Sequence, residues 1–208
     1  RGVVVARNED SVSFASNGQV VRPQLLAIVD PETRAEVPDG TVGELWCYGA
    51  NIAAGYLNRP EETEETFHNT LVTPLAENSR AIGAPADAQW LATGDLAVIV
   101  DNEVYITGRL KDLIIIAGRN HYPQDIEYTV AHASAQIRPA AVAAFAVEGD
   151  DVEQLIILAE RDLDKVEADD ADAIAAIRAA VTEAHGVVPA DIRITAPDTI
   201  IRSSAGKI

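Results

Sequence analysis

Gly108-Arg109-Leu110-Lys111-Asp112-Leu113-Ile114-Ile115-Ile116-Ala117-Gly118-Arg119-Asn120-His121-Tyr122-Pro123-Gln124-Asp125-Ile126-Glu127 is where the chain changes character. Upstream of it, short β-rich runs at 3–6, 25–30 and 42–48 are separated by the turn signals Asn17-Gly18, Asp30-Pro31-Glu32-Thr33 and Pro38-Asp39-Gly40. Pro60 opens a short acidic helix through Phe67, and 73–89 reads as a loop. Runs at 96–100 and 103–107 flank Asp101-Asn102, the pattern of a hairpin with a two-residue turn. An antiparallel sheet or partial barrel is the economical reading of this part.

Downstream the elements alternate. Residues 113–116 form an apolar strand, Gly118 to Pro123 a loop, and 123–133 a helix with Ile126 and Val130 on one face. Strands are expected at 140–147 and 154–160. A helix at 169–185 starts on Asp169, Asp170 and Asp172, carries Ile174, Ile177 and Val181 as its stripe and stops at Gly186. A last strand is expected at 192–195. The expected fold class is α+β: a β-rich, partial-barrel part over 1–110, then a small mixed α+β lid domain over 111–208, with the boundary at Lys111.

Composition narrows the function classes. The 208 residues hold 16 basic and 33 acidic side chains, a net charge of −17, which opposes broad contact with a nucleic-acid backbone. With 48% hydrophobic residues and no apolar run near the roughly 20 residues of a membrane span, a soluble protein without a secretory leader is expected. The single cysteine, Cys47, excludes an internal disulfide, so a cytoplasmic location follows by default. The absence of methionine implies a piece of something longer. Only three lysines occur, Lys111, Lys165 and Lys207, and two of them lie in the motifs below.

Thr93-Gly94-Asp95 ends a strand, and an ionised carboxylate there accepts hydrogen bonds only, which suits the paired hydroxyls of a ribose. Alone, it reads rather as a β-turn aspartate satisfying its own backbone. Arg109, beyond the hairpin, offers fixed donors to sugar oxygens or phosphate, or a surface ion pair. Lys111 is a connector residue or a solvated charge. The Gly118–Pro123 loop exposes amides at a helix start, a field that favours anions. His121 within it is either a general base or a hydrogen-bonding surface residue. Small residues before Lys207 make a pliable loop that could carry an ammonium to a phosphate, unless that lysine is only a frayed end. No metal-ligand spacing and no nucleophile signature occurs.

Taken in order, Gly43-Glu44-Leu45-Trp46, Gly55-Tyr56, Thr93-Gly94-Asp95, Gly108-Arg109 with Lys111, Gly118 through Glu127, and Gly206-Lys207 resemble the C-terminal half of the acyl-adenylate-forming superfamily. The run from Gly118 to Glu127 is similar to that of fatty acyl-AMP ligases, including actinobacterial enzymes of mycolic acid assembly. The resemblance covers 12–208. It implies that Asp95 and Arg109 hold the ribose of ATP and acyl-AMP, that Lys111 is a hinge, and that Gly118 with Arg119 lines the acceptor passage. Lys207 is implied as the catalytic adenylation lysine. ATP with Mg2+ would be the cofactor set of the intact enzyme, and no protein metal site is implied.

The implied partners are a fatty acid, an acyl carrier domain of a polyketide synthase and the missing N-terminal domain. No nucleic acid and no membrane span is implied. Ile201, Ser203 and Ala205 depart from the family's final motif, and its phosphate loop would lie upstream of Arg1, so this chain alone is expected to be inactive. Alternatives remain open: the equivalent part of an acyl-CoA synthetase or peptide-synthetase adenylation domain, a non-catalytic carrier-docking module, or a purely structural acidic domain.

Overall fold

The computed structural model describes residues 13–149, 153–165 and 169–201. The strand expected at 3–6 lies outside them. The chain divides into two compact units, Arg1–Lys111 and Asp112–Ile208.

In the first unit, β1 (Leu25–Val29), β2 (Gly43–Tyr48), β3 (Leu91–Val100) and β4 (Glu103–Arg109) form an open antiparallel sheet in that order. Alternation sends Ala27, Val29, Trp46 and Trp90 to one face, and Ile28, Leu45, Ala97, Ile99 and Val104 to the other. Asp101 and Asn102 both have positive φ, 51° and 66°, the two-residue hairpin turn that matches the twist of the strands. Both strands run past the expected limits. Asp95 therefore lies inside β3 rather than at a strand end, because the ladder with β4 continues beyond an irregularity at Leu96/Ala97. Helix α1 (Pro60–Phe67) has its proline at the first turn and buries no residue. The 73–89 segment is tied down by buried Glu36, whose carboxylate accepts from Leu75 N–H (2.9 Å), Ser79 Oγ (2.6 Å) and Arg80 N–H (2.6 Å).

In the second unit, β5 (Ile114–Ile116) and β6 (Arg119–His121) pair as a small hairpin. This replaces the expected Gly118–Pro123 loop. Ala117 and Gly118 both take left-handed φ, 50° and 73°, so Arg119 turns straight back onto Ile116. Ala-Gly lacks the usual Asn-Gly signal, which is why the hairpin is not legible beforehand. Helix α2 (Pro123–Ala133) follows, then β7 (Ile137–Glu148), β8 (Glu153–Arg161), α3 (Asp170–His185) and β9 (Asp191–Thr195). The sheet runs β7-β8-β9, with β7/β8 antiparallel and β8/β9 parallel. Ile126 and Val130 of α2 and Ile177 and Val181 of α3 pack on Val142, Ala144, Leu155, Ile157 and Ala159 in one core. Ala173, not the expected Ile174, is the fully buried residue of the first turns of α3.

Asp169 caps α3 by accepting from Ala171 N–H at 3.0 Å, and Gly186 ends it with φ 67°. A Cβ at Gly186 would lie 3.1 Å from an Arg119 guanidinium nitrogen. Gly186→Ala is therefore expected to cost about 1–2 kcal/mol from the left-handed backbone alone. Urea denaturation measures the loss, and the same variant displaces the Arg119 side chain.

Candidate functional site

Asp95 and Arg109 are direct cross-strand partners in the β3/β4 ladder. Arg109 Nε donates to Asp95 Oδ1 at 2.9 Å, with the carboxylate one-third exposed and the guanidinium about two-thirds exposed. The sequence placed Asp95 at a strand end and Arg109 beyond the hairpin; the structure brings them together by extending that hairpin. A carboxylate held this way offers its remaining lone pairs to neutral hydroxyls, while the guanidinium fixes its orientation.

The backbone leading to Asp95 is fixed on both sides. Gly94 has φ 73° and no atom within 4 Å of where a Cβ would sit, so glycine is needed for conformation rather than for space. Its N–H donates to Glu44 Oε1 at 3.0 Å, and its carbonyl accepts from Leu110 N–H at 2.8 Å. Glu44 is buried, and its second oxygen accepts from Trp46 Nε1 at 2.9 Å. Thr93 Oγ1 donates to Leu45 O at 2.8 Å and accepts from Asp95 N–H at 3.1 Å. Glu44 thus aligns the turn, a role that reading the Gly43-Glu44-Leu45-Trp46 motif missed. The available signal was a carboxylate at an inward-facing position of an apolar strand.

Burial first, and the Asp95 charge second, push the Cys47 thiol from 9.0 to about 11. Lys111 is exposed and sits in the turn between β4 and β5, one residue after the Leu110 tie.

In the second unit, Gly118 forms the β5/β6 turn and Arg119 starts β6, its side chain reaching Gly186. His121 is buried in β6, which corrects both readings of it as a loop residue; burial, then Arg119 and His185, hold its pKa below the ordinary value. Burial also lowers His185, against the pull of Asp125, and raises Asp125. Thr129 Oγ1 joins this cluster, 2.8 Å from His185 Nε2 and donating to Asp125 O at 3.0 Å. The expected anion field at the start of α2 is curtailed, because Pro123 has no N–H and the amides of Asp125 and Ile126 both donate to Tyr122 O. Gly206 and Lys207 lie outside the described residues. Among the described residues, no three His, Cys, Asp or Glu side chains gather as a metal site, and no helix is long and apolar enough to cross a membrane.

Glu44→Gln keeps one acceptor oxygen and replaces the other with a donor, so one of the two bonds to Gly94 and Trp46 fails. A loss of about 1–3 kcal/mol is expected in urea denaturation, with faster exchange at the Gly94 amide. Cys47 should react with iodoacetamide about 100-fold more slowly at pH 8 than an unperturbed thiol, with a rate profile rising toward pH 11. Asp95→Asn should speed that reaction. Because the fold favours the neutral thiol, this contribution to stability is present below pH 9.0 and is lost as pH rises through about 11.

No family model matches the chain. A long-chain-fatty-acid–AMP ligase, FadD32 of Mycolicibacterium smegmatis, is 42% identical over 99% of this chain and 36% of its own length. A Mycobacterium tuberculosis protein that carries the name of a fatty-acid–CoA ligase, FadD21, is 42% identical over 88% of this chain and 31% of its own length. A solved structure from the fatty acyl-adenylate ligases of E. coli and L. pneumophila superposes with a TM-score of 0.74 at 28% identity, covering 100% of this chain and 34% of that one. The chain spans about a third of the length of the relatives it matches, 36% for FadD32. With that identity along nearly all its residues and that fold, the chain is homologous to a part of the fatty acyl-AMP ligases of the adenylate-forming superfamily.

Proposed function

We propose that the chain is the C-terminal part of a longer ligase that activates a long-chain fatty acid with ATP and hands the acyl group to an acyl carrier domain of a polyketide synthase. The observation that carries this reading is the Asp95–Arg109 pair, in register and 2.9 Å apart on a clamped turn. In the reaction, a fatty carboxylate oxygen attacks the α-phosphorus of ATP. The bond to the pyrophosphate oxygen breaks, and pyrophosphate leaves. Asp95 accepts from the ribose hydroxyls in this reading, and Arg109 keeps that carboxylate aimed. Magnesium would accompany ATP in the intact ligase; among the described residues no three His, Cys, Asp or Glu side chains gather to hold it.

Lys207 delivers an ammonium to the charge that develops as pyrophosphate departs. Lys111 is the hinge about which the second unit changes role between the two half-reactions, and the tie at Leu110 supports it by fixing the chain just before that position. Gly118 and Arg119 border the acceptor passage. The FadD21 name favours coenzyme A as a second reading of the acceptor.

Fatty-acid-dependent ATP–pyrophosphate exchange by the intact ligase tests the reading. Asp95→Ala is expected to lower it about 10- to 100-fold, the loss of charge-assisted hydrogen bonds. Lys207→Ala is expected to lower it about 100- to 1,000-fold. Full activity in either variant overturns the assigned role. Supplying holo carrier protein or coenzyme A to the preformed adenylate decides the acceptor. The isolated chain is expected to form no adenylate, and pyrophosphate release by it would refute that.

A further inference from the structure

After Thr195 the chain leaves β9, and no regular element follows it among the described residues. One buried carboxylate fixes the segment that comes next. Glu160 of β8 lies opposite Thr195 and is 1% exposed. Its Oε1 accepts the Ile200 N–H at 2.8 Å, and its Oε2 accepts from Arg138 Nη1 at 3.3 Å. The same Nη1 donates to Asp198 Oδ1 at 2.8 Å. Asp198 takes a left-handed φ of 62°, and Thr199 Oγ1 donates to Ala196 O at 2.7 Å, so the segment doubles back on itself. The Ile200 side chain is buried at the end of that turn.

Arg138 belongs to a break in β7. Pairing with β8 is interrupted between Ile137 and Val142, and Ala140 there has φ 56°. Breaks of this kind re-aim side chains. A carboxylate this deeply buried must be paired and hydrogen-bonded. Glu160 finds its charge partner in Arg138, but its other oxygen goes to an amide of an irregular segment. That bond, beside the Arg138–Asp198 ion pair, ties the stretch to the central strand of the sheet.

We propose that Glu160 is a positioning residue for adenylation: it anchors the arm that bears Lys207. The proposal rests on the reading of Lys207 given above. Ile200 precedes Lys207 by seven residues, a maximum reach of about 25 Å. Without this anchor the nearest tie is the Arg138–Asp198 ion pair, and the reach grows to about 32 Å. Tether length alone changes the local concentration of the ammonium by less than about twofold. The larger effect is directional, since the arm then starts from one fixed, buried point. Glu160 touches no reacting atom, so it acts on the half-reaction that uses Lys207 and leaves the other alone.

The test measures two rates in the intact ligase: adenylate formation from ATP and fatty acid, and consumption of supplied acyl-adenylate by the acceptor. Glu160→Leu, which removes both acceptor oxygens, is expected to lower the adenylation kcat about tenfold, with the KM for ATP and the transfer rate each held within about twofold. Arg138→Gln, at a half-buried position that tolerates exchange, should give a smaller loss in the same half-reaction. Faster amide exchange at Ile200 in Glu160→Leu reports the broken tie independently of activity. Equal loss of both half-reactions, or unchanged adenylation beside a Lys207→Ala variant that has lost it, overturns the anchor alone. Intact adenylation in Lys207→Ala removes the reading of Lys207, and the anchor falls with it.

Discussion

The peptide at Gly94 is held from both sides: a buried glutamate takes its N–H, and the backbone of Leu110 supplies a donor to its carbonyl. That double hold ties three strands at one corner of the first sheet. It sets the direction of Asp95, brings Arg109 opposite it, and fixes the chain one residue before the unit boundary. Remove the carboxylate, and two donors, the Gly94 amide and the Trp46 indole, lose their acceptor at once. Such a loss is costly because buried donors are far worse off unpaired than exposed ones.

Glu44 shares this use with two other buried glutamates among the described residues. Glu36, Glu44 and Glu160 are all buried, and each accepts at least one backbone N–H from a segment distant in sequence. Each therefore organises irregular chain that hydrophobic packing alone would leave under-determined: the 73–89 segment, the Thr93–Asp95 turn, and the turn after β9. Most of the other described carboxylates lie at exposed or half-exposed positions and follow the usual logic of a charged surface. The excess of 33 acidic over 16 basic side chains thus conceals two populations with different physics.

Most of the regular structure could be read from period and punctuation. Asp169 and Gly186 bracket α3, Pro60 and Pro123 start α1 and α2, and Asp101-Asn102 closes the β3/β4 hairpin, because caps and turns act through neighbouring residues. What stayed illegible was long-range or conformational. The Ala117–Gly118 turn needs two consecutive left-handed residues, a demand that alanine does not advertise. The burial of His121 depends on its pairing with Ile114 across that turn. Asp95 and Arg109 were recognisable as candidates, yet their direct pairing depended on how far the ladder continued past an irregularity. Glu44 and Glu160 act through contacts 50 and 40 residues away, and no local pattern encodes such partners.

The interruption in β7 has a bearing on solubility as well. β7 is an end strand of its sheet, and its 140–147 run is almost wholly alanine, valine and phenylalanine, a composition that invites another chain to add alongside. Pro139 contributes no N–H, and the kink beside it at Ala140 spoils the regular row of donors and acceptors that such an addition would copy. The irregularity that includes Arg138 thus also guards this strand against self-templating.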